Sequence, residues 1–419
     1  MSGPVANNVF RSSGVIASAA GGLSWQSVVT ASTVTVSAGN GYPINTTSNT
    51  CTITLPSSAE AGDQIIFLDY ARNWGTNKII IDSNGLNYQS EDDTYTVEYD
   101  TDGQTVSIVY SGATVGWIPE SDVDVTDAPV APPTQKAIFG YGSPTTAVTN
   151  LVNSSGVIAT DTTGVGTSRH SLAAAGYGGD KAIFGYGTTG SVTAISNLVS
   201  SSGVVAADVT GVGTARRLLA AAAYGTDKAI FGYGFNSAPA AVSMTNLVSN
   251  SGVIASDVSG VGTARWQLTA ASYGIDKAIF GYGDSGSPSS LTNLVSSSGV
   301  VASDVSGVGT ARYGVAAAGY GVDLAIFGYG FNGSSNVSMT NLVSNSGVVA
   351  SDVSGVGTAR YGLAAARYGG DKALFAYGDS GSVVSMSNLV NSSGVVASDV
   401  TGVGTARVYT KAAGYSLSA

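Results

Sequence analysis

Apolar and polar residues alternate along much of this chain with a period of two, the period of a β-strand with one buried face. Runs such as STVTVSA (32–38), CTITLP (51–56) and TVSIVY (105–110) follow this pattern, and turn residues separate them. From residue 136 onward, short apolar runs of the type KAIFGYG alternate with stretches rich in Gly, Ser and Asn. Because β-branched runs bounded by turn residues are typical of strands, we expect an all-β protein.

One sequence pattern occurs six times between residue 136 and the C-terminus, in repeats of 45 to 49 residues. The repeats span 136–180, 181–227, 228–276, 277–323, 324–371 and 372–419. Each repeat contains four short strand-like runs, typified by KAIFGYG, TNLV, VVASDV and AAAGY. Four-stranded units at this spacing predict the blades of a β-propeller. The C-terminal run KAAGY is the counterpart of a strand missing before residue 136, so we expect it to complete the first blade and leave no open sheet edge.

The repeat resembles that of the Kelch propeller family. KAIFGYG stands where that family has a strand ending in paired glycines, and TAR followed by YGVAAAGYG stands where it has Thr or Pro, Arg and an Ala-rich strand. The chain departs from the family in having Gly-Tyr-Gly for the double glycine and in lacking its regular tryptophan. The resemblance covers about two thirds of the chain. It implies a six-bladed propeller at 136–419 but carries over no function.

The segment before the repeats predicts a second, smaller domain. Residues 23–119 alternate β-type runs with turns, which predicts a small β-sandwich. Asp102-Gly103 lies between two alternating runs and is expected to form the turn of a hairpin. Residues 120–135, ESDVDVTDAPVAPPTQ, are acidic and contain proline, which favours a linker.

Three stretches of this segment carry a second resemblance: WQSVVTAS (25–32), INTTSNTCTITLPSSAEAGDQIIFLDYARNWGTNKIIID (44–82) and GQTVSIVYSGATVGWIP (103–119). They are similar to the N-terminal virion-attaching domain of tail-fibre proteins from marine and cyanobacterial phages. The resemblance implies a structural virion protein, a homotrimer located in a tail or other external appendage. It also implies contact with other tail proteins through the N-terminus, and with a host-surface glycan or protein elsewhere. Residues 1–22 are then a docking segment, although 7–18 is alternatively a displaced repeat fragment.

Three residue types recur at fixed spacing in every repeat: an Asn, an Asp 11 residues later, and an Arg 8 residues after that Asp. In repeats 1 and 5 these are Asn150, Asp161 and Arg169, and Asn341, Asp352 and Arg360. They are either six identical sites or structural ties between strands or blades. A charged pair that occurs once in every blade is expected to fix the alignment of neighbouring strands or blades and not to form a catalytic or binding site. We therefore interpret the set as structural.

The differences between repeats concentrate in the insert that follows FGYG and at the residue that follows the repeated Arg. In an antiparallel four-stranded blade both places open on one face, and variable loops on a rigid scaffold are typical of binding surfaces. The candidate receptor-binding residues are His170, Arg217, Phe235, Trp266, Asp284, Tyr313, Phe331, Tyr361 and Asp379. We expect the rings to stack on sugars and the carboxylates to accept hydroxyl hydrogen bonds. The alternative is that the rings fill grooves between blades.

Composition argues against several other functions. The net charge is −10 with no basic patch, so nucleic-acid binding is not expected. There is one cysteine, Cys51, and one histidine, His170, so no disulfide, zinc or copper site, or His-dependent nucleophile is indicated. No apolar run is long enough to cross a membrane. We therefore expect no cofactor, no metal and no enzyme activity.

Two rival functions remain open at this stage. One is a depolymerase that cleaves surface polysaccharide with paired carboxylates, since Asp is plentiful. The other is a head or baseplate decoration protein that binds no host.

Overall fold

The computed structural model describes residues 23–93, 97–120, 134–238 and 240–418. Throughout these ranges the protein is all-β, as predicted, and the described part contains no helix that could span a membrane. The chain divides into two compact units, Met1–Pro132 and Pro133–Ala419, which we call the N-terminal unit and the repeat unit. The docking segment predicted at 1–22 and most of the predicted linker lie outside the described residues.

The N-terminal unit forms two sheets, of strand order β1-β3-β5-β8-β9 and β2-β4-β6-β7. The strand bounds are β1 Ser24–Trp25, β2 Thr33–Thr35, β3 Asn40–Ile44, β4 Cys51–Thr54, β5 Gln64–Asp69, β6 Ile79–Asp82, β7 Val97–Tyr99, β8 Thr105–Tyr110 and β9 Trp117–Pro119. From β1 to β6 the chain alternates between the sheets, and each strand pairs in parallel with the strand two before it. Strands β7 to β9 are added in antiparallel orientation.

Both sheets bury their apolar positions in one core, to which β4 contributes Ile53, β5 contributes Phe67 and β8 contributes Ile108. The hairpin predicted at Asp102-Gly103 is wrong, because β7 pairs with β6 while β8 pairs with β5 in the other sheet. The turn passes between the sheets instead. Its Gly103 N–H donates to Asp69 Oδ2 at 2.8 Å, and this bond ties the turn to the end of β5.

The repeat unit forms six sheets of similar build, each with a first, a second and a third strand in antiparallel order. Sheets 1 to 3 comprise β29 (Lys411–Tyr415), β10 (Lys136–Gly142) and β11 (Thr146–Val152); β12 (Ala173–Tyr177), β13 (Lys181–Gly185) and β14 (Ser196–Val199); and β16 (Ala220–Tyr224), β17 (Lys228–Gly232) and β19 (Thr245–Val248). Sheets 4 to 6 comprise β20 (Thr269–Tyr273), β21 (Lys277–Gly281) and β22 (Thr292–Val295); β23 (Ala316–Tyr320), β24 (Leu324–Phe331) and β25 (Asn336–Val343); and β26 (Ala364–Tyr368), β27 (Lys372–Ala376) and β28 (Ser387–Val390). A short pair, β15 (Arg216–Arg217) and β18 (Phe235–Asn236), links sheets 2 and 3.

The C-terminal strand β29 completes sheet 1, as predicted. It pairs with β10 in antiparallel register, from Lys136 opposite Tyr415 to Gly140 opposite Lys411. The second strands, of the type KAIFG, are buried over almost their whole length. A strand covered on both faces reads as a continuous apolar run, which is why KAIFG does not alternate.

The fourth strand predicted in each repeat is an irregular edge rather than a regular strand. In sheet 5 it meets the third strand at two bridges, Val343 with Val349 and Thr340 with Val353. Between the bridges, the side-chain amide of Asn341 donates to the carbonyl of Ala350 at 3.0 Å. Because this amide takes the place of a ladder bond, the fourth segment follows the sheet without forming a full ladder.

Two sets of backbone hydrogen bonds join the sheets into closed circuits. In the first, the residue two after each repeated Arg donates its N–H to the carbonyl of its counterpart in the preceding repeat, and the circuit returns from Ser171 to Tyr409. The members of this six-bond ring are Ser171, Leu218, Gln267, Gly314, Gly362 and Tyr409. The second circuit joins the ends of the first strands to the turns of the next sheets, for example Gly225 N–H to the Asp276 carbonyl at 2.7 Å. The first strands also contact one another in order, and β29 contacts β12.

We predict that deletion of residues 410–419 destabilises the repeat unit by roughly 5 kcal/mol or more, since β29 supplies five ladder pairs at about 0.5–1.5 kcal/mol each in addition to its buried side chains. Differential scanning calorimetry of the two chains measures the effect. Deletion of residues 417–419 alone, beyond the last strand, is the control and should leave the melting temperature unchanged. Equal melting temperatures for the 410–419 deletion and the full chain would show that closure does not stabilise the unit.

Candidate functional site

Six arginines lie completely buried at the junctions between successive sheets: Arg169, Arg216, Arg265, Arg312, Arg360 and Arg407. Each guanidinium stacks on a Tyr ring of the preceding sheet, at 4.3 to 5.1 Å from the ring centroid. Arg312 shows the full set of contacts. It lies over Tyr282, donates from Nε to the Tyr329 carbonyl at 2.9 Å, and donates from Nη2 to Asn341 Oδ1 at 2.5 Å. Since Tyr282 belongs to sheet 4 and Asn341 to sheet 5, the arginine joins the two sheets.

The repeated aspartates also connect neighbouring sheets, through hydrogen bonds at the edge of each junction. Asp352 of sheet 5 accepts hydrogen bonds from Asn341 Nδ2 at 2.9 Å and from Thr310 Oγ1 at 2.7 Å, and its Oδ1 lies 3.6 Å from Arg312 Nη1. The corresponding threonine contact occurs at all six junctions, including Thr405 with Asp161, which closes the circuit. Burial raises the pKa of Asp352, but the hydrogen bonds from Thr310 and Asn341 outweigh it, so the net shift is downward. These contacts are what a structural role for the Asn–Asp–Arg set requires.

The Gly-Tyr-Gly motif has a packing cause at the same junctions. The buried Tyr282 ring lies edge-on to Phe327 of the next sheet, with ring centroids 5.1 Å apart. A Cβ at Gly281 would come within 2.8 Å of the same phenylalanine ring, so glycine precedes the tyrosine. Tyr282 itself has φ 62°, a left-handed conformation held by the contacts around it. The contact recurs around the unit and closes between Tyr377 and Phe139.

The two variable places of the repeat meet at every junction. The residue after each repeated Arg pairs with the start of the insert in the following sheet. The pairs are His170 with Thr188, Arg217 with Phe235, Trp266 with Asp284, Tyr313 with Phe331, Tyr361 with Asp379, and Val408 with Ser143. Each junction therefore presents one variable pair beside an invariant buried arginine, and we call these six pairs the variable face.

Five aromatic rings of the variable face and the neighbouring Tyr409 form one continuous series, which we call the aromatic arc: Phe235, Trp266, Tyr313, Phe331, Tyr361 and Tyr409. Successive centroids are 5.6, 6.5, 5.4, 6.2 and 6.0 Å apart. Trp266 and Tyr313 are nearly parallel, with an interplanar angle of 19°. All six side chains are half-buried, so each ring packs on its neighbours and also presents surface to solvent. The two interpretations of these rings, groove filling and ligand stacking, are thus compatible in one arrangement.

Two carboxylates lie along the arc. Asp284 pairs with Trp266 and Asp379 with Tyr361, so they flank the junction that holds Tyr313. Each Oδ1 accepts the backbone N–H two residues later, from Gly286 and from Gly381, both at 2.7 Å. Within the described residues neither Oδ2 has a hydrogen-bond partner, so each can accept a hydrogen bond from a ligand. Burial, with the charge of Asp284 as a smaller contribution, raises the pKa of Tyr313 and keeps its hydroxyl protonated.

The variable face is polar at the other end of the series. Arg217 lies over the Phe235 ring at 5.8 Å and so forms the boundary of the arc. His170 is one junction further on, where its Nδ1 is 2.9 Å from Ser171 Oγ. Burial and the nearby Arg217 lower the pKa of His170, so its ring is neutral at pH 7. Eight of the nine predicted residues therefore lie in or beside the arc, and His170 lies apart.

Tyr409 is the arc residue that sequence reasoning missed. It lies two residues after Arg407, at the position of the six-bond ring, and not directly after the arginine. Its signal was present in the alignment of the repeats, because the same position holds Ser, Leu, Gln, Gly, Gly and Tyr in repeats 1 to 6. Comparison of this second position would have added Tyr409 and Gln267 to the candidates.

No group of three or more His, Cys, Asp or Glu side chains that could hold a metal ion occurs in the described ranges. No protein-family model matches the chain, and no curated protein sequence is similar to it.

Substitution of one junction arginine should destabilise the protein strongly. We predict that Arg312→Ala costs about 3–5 kcal/mol of unfolding free energy, because it leaves Asn341, Asp352 and a buried carbonyl without their cation. Urea denaturation measures the change. Arg217→Ala, which removes a half-buried arginine of the variable face, is the matched control and should cost about 1 kcal/mol or less. A cost for Arg312→Ala as small as that of the control would contradict the structural role.

The six junction aspartates should make the protein acid-sensitive. Because their folded-state pKa values are lowered from 3.8, they stabilise the fold above that pH, and the contribution is lost as the pH falls through the folded values. We expect the unfolding free energy to fall steeply below about pH 4, with unfolding accompanied by uptake of protons at these six sites. Urea titrations from pH 2 to 6 measure the slope, and Asp352→Asn should reduce it. A flat profile below pH 4 would refute this account.

Proposed function

We propose that the repeat unit is a six-bladed β-propeller of Kelch-like repeats. Its six sheets serve as blades, and its first strands surround a central axis. Three circuits that pass through all six sheets support this architecture: the six-bond ring, the second set of backbone bonds, and the Tyr–Phe contacts that return from Tyr377 to Phe139. Pairing of β29 with β10 supports closure by the C-terminal strand.

We propose that the protein is a virion appendage of the phage tail-fibre type. The N-terminal unit acts as a β-sandwich that attaches to other tail proteins, in a homotrimer. The support for this part is the resemblance of the stretches 25–32, 44–82 and 103–119 to phage attachment domains. A trimer would multiply weak single contacts with the host surface by raising the effective concentration of binding sites.

In this proposal the variable face binds a host-surface receptor, and the receptor is a saccharide. The observation that carries it is the aromatic arc, a continuous series of half-buried rings on a scaffold whose other positions repeat. The apolar faces of sugar rings stack on aromatic side chains, and their hydroxyls donate to carboxylates. Asp284 and Asp379 supply such acceptors beside Trp266 and Tyr361. Binding without cleavage is the proposed activity.

Two positions of the arc can be replaced by a residue that already occurs at the equivalent position of another repeat. Trp266→Val and Tyr361→Val place at these junctions the residue found at Val408, so the scaffold should tolerate them. On an array of bacterial surface glycans, we predict that the full chain binds a saccharide and that each variant binds it about tenfold more weakly, as expected for loss of a central aromatic contact. His170→Val, one junction beyond the arc, is the matched control and should bind normally.

Fluorotryptophan NMR of the full chain tests the location directly, because Trp266 is the only tryptophan beyond residue 136 among four in the chain. Ligand should shift the Trp266 signal and leave those of Trp25, Trp74 and Trp117 in place. New reducing ends after incubation with host polysaccharide would favour a depolymerase. Host-cell adsorption by virions that lack the repeat unit, with no labelling of cells by the isolated protein, would favour a decoration protein.

A further inference from the structure

The middle of the aromatic arc carries two carboxylates whose charge no cation of the described residues balances. Asp284 and Asp379 each bond through Oδ1 to a backbone N–H, and neither forms an ion pair in the described part of the chain. The junction aspartates differ in this respect, since Asp352 Oδ1 lies 3.6 Å from Arg312 Nη1. The variable face is therefore locally negative at these two positions.

The other cations of the repeat unit lie away from these two carboxylates. The lysines of the second strands begin those strands, at the end away from the inserts, and Arg367 donates to carbonyls of the turn 321–323 at the same end. Arg217 lies over Phe235 at one end of the arc, and Lys411 lines a small recess beside the ring at the other end. Protein cations thus occur at the ends of the arc, and the carboxylates lie between them.

The rings of the arc favour the same sign of charge as the carboxylates. The face of an aromatic ring attracts cations, and that of tryptophan does so most strongly. Arg217 already lies over the Phe235 ring, with its guanidinium carbon 5.8 Å from the centroid. Within the described ranges no protein cation lies over the rings of Trp266, Tyr313 or Tyr361. These three rings are therefore free to accept a cation from a ligand.

Both carboxylates are held in place before any ligand binds. The backbone of Asp284 exchanges two hydrogen bonds with that of Trp266, at 2.8 and 3.0 Å, and Asp379 does the same with Tyr361, at 2.9 and 3.1 Å. The Asp379 carbonyl also accepts a bond from Asn336 Nδ2 of the preceding insert, at 3.0 Å. Groups that are already ordered lose little entropy on binding, so their charge is available to a ligand at low cost.

We propose that the aromatic arc recognises a positively charged amino group, so that the saccharide it binds is an amino sugar with a free ammonium. The inference rests on the proposed saccharide-binding function and names the class of sugar. The ammonium lies against the rings of Trp266 and Tyr313, with Asp284 as its counter-ion, and Asp379 accepts from the next part of the chain of sugars. Acidic sugars are disfavoured, because like charges repel across a binding surface.

The first experiment separates charge from shape with two small probes. Choline has a positive charge that does not depend on pH, and its tert-butyl analogue has the same shape without the charge. In fluorotryptophan NMR of the full chain, choline should shift the Trp266 signal and bind about tenfold more tightly than the analogue. An increase in ionic strength from about 0.02 to 0.5 M should reduce the preference, because salt screens the carboxylates.

Other repeats supply matched variants of both carboxylates. Asp284→Thr copies Thr188, and Asp379→Ser copies Ser143, which occupy the equivalent positions of repeats 2 and 1. The protein with both substitutions should fold normally and lose most of the preference for choline. Asp323→Asn, which removes one charge from the turn before the second strand of sheet 5, is the control and should keep the preference.

The second experiment tests the sugar. An oligomer of glucosamine should bind about tenfold more tightly than its N-acetylated form, and more tightly still than an oligomer of glucuronic acid, in calorimetric titrations at pH 6. A preference for the acetylated or acidic oligomer that Trp266→Val abolishes would overturn the inference and leave saccharide binding in place. Equal binding of choline and its analogue would also overturn the inference. A preference for choline with no glycan bound would support the cation site and reject the proposed saccharide function.

Discussion

The buried arginine at each junction is the interaction on which the rest of the repeat unit depends. At the junction of Arg312, a guanidinium stacked on Tyr282 and bonded to Asn341 and to a main-chain carbonyl is a charge removed from water, and these contacts compensate for its lost hydration. Those contacts come from two different sheets, so the arginine stabilises their packing and not either sheet alone. The Asp–Thr bond at the edge and the Tyr–Phe contact beneath extend the same junction. Any sheet that shifts its register breaks all of them together.

This constraint explains why the repeats are nearly identical in some positions and free in others. The arginine and its tyrosine are tied to atoms of the next sheet, so neither can change alone, whereas the position before the tyrosine is glycine in five repeats and Ala376 in the sixth. The residue directly after the arginine pairs through backbone atoms, and its side chain is partly exposed at five junctions and buried at Val408. Even the next position keeps its left-handed backbone, with φ 56° at Leu218 and 53° at Tyr409, although it is not always glycine. The six-bond ring thus holds the backbone while side chains vary.

Strand periodicity predicted the all-β class. Comparison of the repeats predicted their number, the completion of sheet 1 by β29, and the meeting of the two variable places. It failed where tertiary contacts decide. The turn at Asp102-Gly103 has hairpin residues, but a hydrogen bond from Gly103 to Asp69 sends the chain to the other sheet. The fourth strand has alternating residues, but the amide of Asn341 replaces a ladder bond. Neither effect has a local sequence signal. The first depends on a partner far along the chain, and in the second a side-chain amide makes the hydrogen bond that a backbone amide makes in a regular ladder.

The departures from sixfold repetition are the most informative positions, since the scaffold by itself would keep every junction the same. The aromatic rings cluster on successive junctions and end at Tyr409, so the variable face has one apolar side and one polar side. Tyr409 is also bonded to Gln267, three members away in the six-bond ring, and Lys411, two residues later, begins the closing strand. The strand that completes sheet 1 therefore carries the one cation among the six equivalent first-strand positions, and the last ring of the arc directly precedes this strand. A strand already specified by its ladder with β10 can accept such residues, because its register does not depend on them.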